Sequence, residues 1–240
     1  MLDARWQRES LTFVMSPWFL SKFRPGPAVI RATGTGRAKW LLAPPPTVRE
    51  VAVSIPATET AVAADPTRLS EAESRRIIEG RAKDALASLL SHDMDSLSSL
   101  VHPTKGVRFS HYMYVQPGKD MVFTRSQVPG LWDDGTEYVW GEADGTGDPI
   151  RMTFNAYHRR WLNHDFSKAP RVAYNRSPFK SGNTPNNIAQ VYPGSIAVEH
   201  HFPGFEPRYE GMDWASLWLV FEREKDEWFL VGVVRGNWTI

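Results

Sequence analysis

The chain has 240 residues, 42% hydrophobic and 23% charged, with a net charge of +1. That is ordinary globular composition, enough for one sizeable domain with a tail, and it carries no basic footprint for nucleic acid. Cysteine is absent, which excludes disulfides, thiol catalysis and cysteine-ligated zinc.

The balanced charge hides an asymmetry. Residues 1–64 hold eight Lys/Arg against four Asp/Glu, which leaves twenty against twenty-three for the remainder. Eight of the eighteen prolines fall within residues 1–66, clustered in RPGP and APPPT. Leu11–Leu20, behind Arg5 and Arg8, has the polarity and length of an export signal's apolar segment. It has Pro17 in its middle and no small-residue cleavage site close behind. No run approaches the roughly eighteen apolar residues that span a bilayer, so any membrane contact is expected only through an N-terminal signal or anchor. VREVAVSIPATETAVAADP reads as an extended tether without persistent periodicity. We therefore expect residues 1–66 to be a disordered or signal-like tail and Pro-rich tether, and residues 67–240 to be the folded domain.

Ser70 and Glu73 have the spacing of a capping box, and Ile78, Ala82, Ala85, Leu86 and Leu89 recur at helical spacing behind it. Asp93 is placed to cap a second, short helix that must stop before Pro103. The period then changes to two. Strands are expected at Val107–Val115, Met121–Thr124, Glu137–Gly141 and Ile150–Met152, the last two joined by the turn chemistry of EADGTGDP. Thr153 is placed to cap a helix with Phe154, Tyr157 and Trp161 on one side. The loop-rich SPFKSGNTPNN follows, and then strands at Ser195–Phe202, Ala215–Glu224 and Trp228–Thr239. Helices first and long strands last imply an α+β fold: a curved antiparallel sheet packed, cone-like, against N-terminal helices.

The element order resembles the cone fold of ketosteroid isomerase, scytalone dehydratase and nuclear transport factor 2. That resemblance implies a pocket between sheet and helices, in a fold that hosts both enzymes and binding modules. At motif level, VHPTKGVRFS, YVWGEADGTGDPI, TFNAYHRRW, FPGFEPRYEGMDWASLWLVF and WFLVGVVRGNWTI together resemble an uncharacterised family of bacterial cell-envelope proteins, often lipoproteins. The resemblance covers roughly residues 70–240 and implies a cell-envelope or secreted location, with the cytoplasm as the alternative. One departure is that LLAPPPTV lacks the lipid-modified cysteine of such lipoproteins.

Catalytic and metal signals are weak. His200 and His201 point to opposite faces of a strand, whereas Glu199 and His201 share one. His158 and His164, about 240° apart on a helix, diverge. DGTGD lacks the carboxylates of a calcium loop, so a hairpin turn is the better reading. There is no Gly-x-Ser-x-Gly, and Asp213 reads as a turn carboxylate. Neither metal nor cofactor is implied. The residues chosen as ligand-binding are Arg108, Tyr112, Tyr114, Trp140, Tyr157, Glu199 and His201, which combine charge, imidazole and amphipathic aromatic area. Arg108, Tyr112 and Tyr114 are expected on one strand face, and Glu199 with His201 on another; if the two faces meet, they line one cleft. The function expected is a non-catalytic extracytoplasmic binding domain for a small polar ligand, glycan or peptide. The alternative is an isomerase or lyase working inside the cone, which needs an inward carboxylate or imidazole with a shifted pKa.

Overall fold

The computed structural model describes residues 69–179 and 184–238 with their side chains and, before them, the backbone of four strands. The chain divides into two compact units, Met1–Pro66 and Thr67–Ile240. In the first, β1 (Asp3–Gln7) pairs antiparallel with β2 (Ser10–Val14), and β3 (Gly26–Gly34) with β4 (Thr47–Ile55). The rest of the segment expected as tail and tether lies outside the described residues, as do residues 180–183 of the SPFKSGNTPNN loop.

The second unit opens with α1 (Glu71–Ser91), and its capping box is complete: Ser70 Oγ accepts from the Glu73 amide, and the Glu73 carboxylate accepts from the Ser70 amide at 3.0 Å. The stripe Ile78, Ala82, Ala85, Leu86 and Leu89 is buried along its length. Asp93 accepts from the Ser96 amide (3.0 Å) and starts α2 (Met94–Leu100). Thr153 caps α3 (Phe154–Trp161) in the same way. A single turn, α4 (Ile188–Val191), is too short to leave a period in the sequence.

The strands that follow α2 are β5 (Val107–Ser110), β6 (Met121–Phe123), β7 (Tyr138–Glu142), β8 (Pro149–Met152), β9 (Arg171–Tyr174), β10 (Ile196–Phe202), β11 (Ala215–Glu224) and β12 (Glu227–Asn237). β7 and β8 form a separate hairpin, and Gly141, at φ +142°, lets β7 pass against the ring of His111, where a Cβ would lie 2.2 Å from Cε1. The other six make one open sheet in the order β6-β5-β12-β11-β10-β9. The α+β class is as expected, but the sheet is mixed rather than antiparallel throughout, because β12 runs parallel to β5. The meander from β9 to β12 sets the direction of β12, while the approach from α2 sets that of β5. Partners so far apart in sequence leave no local signal of their relative direction.

Both faces of the sheet are covered. On one, Val107, Phe109, Val198, Leu219 and Phe221 pack beneath α1, α2 and α3. On the other, Ala197, Trp218, Val220 and Val234 pack against Val115, Ile188 and Tyr192, which come from loops and the single turn of α4. The register shifts opposite Val220 and Phe221, so Val231 has no partner on β11 and joins the loop-side cluster while Leu230 remains on the helix side.

The expected strand Val107–Val115 stops at Ser110. Asp120 turns the chain out of the sheet: its Oδ2 accepts from Ser110 Oγ (2.5 Å) and from the Gln116 amide (2.8 Å). Val115 then finds a substitute for a neighbouring strand. The side-chain amide of Asn187 accepts from its N–H (2.8 Å) and donates to its carbonyl (2.9 Å).

Leu89 is 1% exposed beneath this sheet, so Leu89→Ala should cost about 2–5 kcal/mol in urea unfolding. A loss below about 1 kcal/mol is surface behaviour and would place the α1 stripe outside the core.

Candidate functional site

The pair singled out in the sequence is brought together by a third residue. On the loop-covered face, His201 Nδ1 and Glu199 Oε1 each lie 2.7 Å from Ser216 Oγ. Ser216 has one proton and gives it to Glu199, so Nδ1 of His201 must carry the other, and the hydrogen bonds run His201 to Ser216 to Glu199. Phe179 stacks on His201 at 4.7 Å, and Trp214 lies on it at 6.1 Å. Burial raises the pKa of Glu199, with the Ser216 hydroxyl opposing it. Burial holds the His201 pKa down at about 4, and Arg171 adds to this. All three residues of the chain are at most 1% exposed, and Oε2 of Glu199 has no partner.

The other chosen residues lie elsewhere. Arg108 is on the same sheet face but is occupied: Nε donates to Tyr192 Oη (3.1 Å) and Nη1 to the Pro117 carbonyl (3.0 Å). Because β5 ends early, Tyr112 leaves that face. Its hydroxyl accepts from the Asp144 amide in the β7–β8 hairpin, and its ring meets Trp161 of α3. Tyr114 is 48% exposed on the loop. Trp140 and Tyr157 stack at 3.8 Å in the helix-side core and are wholly buried. The seven residues thus do not line one cleft. Asp213 is a turn carboxylate, accepting from the Phe205 and Glu206 amides. His158 and His164, expected to diverge, line one surface groove, because α3 ends at Trp161 and the chain turns back. Among the described residues no three metal-ligating side chains converge.

The pocket with the features of a binding site is one that sequence reasoning missed. It lies between α1 and the β9–β10 edge, about 320 Å³ in volume. Ala82, Leu86, Val198 and Tyr174 give it an apolar floor, and Arg75, Glu79 and Lys83 a charged rim already tied by ion pairs of 3.2 and 3.0 Å. His200 closes it from below. The Phe166 carbonyl lies beside this ring and opposes the lowering of its pKa, and Nε2 has no partner although the residue is only 8% exposed. With the proton on the nitrogen facing that carbonyl, Nε2 is left as a bare acceptor, and burial keeps the ring neutral by lowering its pKa to about 4. Ala87 and Ser167 also line the groove of His158 and His164, about 640 Å³.

No family model, curated protein or solved structure matches this chain. The reading of function therefore rests on the geometry. The signal for His200 was in the sequence, since Ile196, Val198, His200 and Phe202 alternate on the helix face and one imidazole interrupts an apolar row. Adjacency to His201 hides this interruption, because two neighbouring imidazoles read first as candidate metal ligands.

The raised Glu199 pKa means that the folded state favours the protonated carboxyl. Its penalty on stability is absent below the free-glutamate value of 4.5 and grows as pH rises above it. Glu199→Gln should therefore be more stable than the parent at neutral pH, with the two melting curves converging below about pH 4.5. A constant difference across that range would mean that the carboxyl titrates alike in the folded and unfolded chains, its pKa unshifted.

Proposed function

We propose that the Thr67–Ile240 unit is a non-catalytic binding domain of the cell envelope, recognising a small polar ligand, a glycan or a peptide in the pocket between α1 and β9–β10. The observation that carries this is the unpartnered Nε2 of His200. A buried acceptor without a donor costs free energy comparable to a lost hydrogen bond, and a ligand hydroxyl or N–H supplies what is missing. An apolar floor with few polar groups is the usual make-up of a small-ligand site. The envelope location and a link to the uncharacterised lipoprotein family rest on the motif resemblance, and nucleic acid is no part of the reading. A cone-like sheet belongs to the same proposal, supported by the strand order, the helices gathered on one face and the bulge in β12.

The competing reading is an isomerase or lyase acting within the cone. Phe109, Trp140, Phe154 and Tyr157 fill the helix side of β5, each 0% exposed, and leave no room for a substrate beside them. The richest acid–base set, Glu199, Ser216 and His201, sits on the opposite face and is sealed. His200, an imidazole on the helix side with a lowered pKa, has no acid–base side chain hydrogen-bonded to it among the described residues. Binding is the better-supported reading.

A panel of monosaccharides, short oligosaccharides and short peptides, screened by ligand-observed NMR against the full chain, tests it. A binder should lose about tenfold in affinity to His200→Leu, roughly one hydrogen bond to a buried acceptor. Equal affinity for parent and variant, or no binder in the panel, would remove the pocket as the site.

A further inference from the structure

We propose that the occupant of this pocket is an extended peptide that adds as a strand to the open edge of β9, an inference resting on the binding reading above. β9 is the last strand of the sheet. The Asn175 amide donates to the Ala197 carbonyl (2.8 Å), which fixes the alternation. The main-chain groups of Arg171 and Ala173 then face β10, and those of Val172 face outward. Among the described residues neither the N–H nor the carbonyl of Val172 has a partner, and the residue is 42% exposed. The open stretch is short, because the Tyr174 carbonyl already accepts from the Arg176 amide (2.7 Å).

One outward donor and one outward acceptor on a single residue are what an antiparallel partner residue reciprocates with its own N–H and C=O. A sugar offers hydroxyls without that paired spacing, so the edge favours a peptide. The side chains of Val172 and Tyr174 point into the pocket. The peptide residue opposite Val172 therefore sends its own side chain to the same side of the sheet. Val172 pairs across β9–β10 with His200, so that side chain lies two strand spacings from His200, roughly 10 Å between main chains. A long side chain with an N–H donor, of the glutamine, lysine or arginine kind, crosses Val172 to reach Nε2. The rim on α1 carries both signs of charge and discriminates little between these. Selectivity thus resides in length and donor capacity, and affinity in main-chain pairing.

The test selects binders to the full-length protein from a phage-displayed random heptapeptide library, with a glycan array run in parallel. Selected peptides should bind with at least tenfold loss to Val172→Pro, which removes the outward N–H and leaves the ladder to β10 intact. An unchanged melting temperature checks that the variant folds. Should it not fold, the same peptides N-methylated at single residues decide, because methylation at the pairing residue should cost the same tenfold. Peptides that lose affinity to His200→Leu but ignore both Val172→Pro and N-methylation would overturn strand addition and leave the pocket reading in place. Glycans that bind when no peptide does would have the same consequence. Failure of both libraries would overturn the inference and the binding reading together.

Discussion

Burial of β11 on both of its faces is the constraint on which the Thr67–Ile240 unit depends. Ala215 to Phe221 are all buried, with Leu217, Leu219 and Phe221 on the helix side and Trp218 and Val220 on the other. Each large apolar side chain so removed from water contributes roughly 1.5–3 kcal/mol, so neither face can be left bare. Helices cover the first face readily, since their own main chain is satisfied internally. Loops and the one turn of α4 cover the second, and every loop amide or carbonyl brought down onto an apolar face needs a partner. That need accounts for the polar devices clustered there: the Asn187 amide on Val115, the Asp120 carboxylate on Gln116, and the Arg108 guanidinium on the Pro117 carbonyl.

Buried polar groups in this unit fall into two kinds, and the difference separates architecture from site. Arg235 is 5% exposed, yet its guanidinium donates to the carbonyls of Trp161, Ser216 and Gly236 and lies over the Phe166 ring. It ties the end of α3 to the sheet, and burial lowers its pKa only to about 10, with Tyr157 opposing the shift. Such a group is satisfied by its own protein. Nε2 of His200 is not, and its residue lines a pocket. Glu199 Oε2 is also unpaired, but no atom of its residue reaches the surface. Exposure of the pocket, more than chemical richness of the cluster, ranks the first above the second.

The local rules were legible in the sequence wherever a residue acts on its own neighbourhood. The Ser70–Glu73 box, the Asp93 and Thr153 caps, the α1 stripe and the β7–β8 turn all form from residues within a few positions of one another. What could not be read depends on partners far away. Alternation runs on past Ser110 and implies a longer β5, while its end is decided by Asp120 and by the short parallel pairing with β12. β9 leaves almost no pattern, because it has four residues and two of them are exposed. The candidate site suffered in the same way. Glu199 and His201 were correctly placed on one face, but Ser216 enters only through the β10–β11 register, and Tyr112 was assigned to a strand it has already left.

The position of β12 has a consequence for how the chain reaches this structure during synthesis. It lies between β5 and β11, and its register partner for Arg108 is Gly232. A ribosome adding about 5–20 residues per second takes on the order of ten seconds to travel from one to the other. Through that interval β5 can meet β6, the β7–β8 hairpin and α3, whose Phe123, Trp140, Phe154 and Tyr157 surround Phe109. The strand that joins this group to the meander has not yet been made. The sheet is therefore closed last, by a strand that must enter between two halves already present.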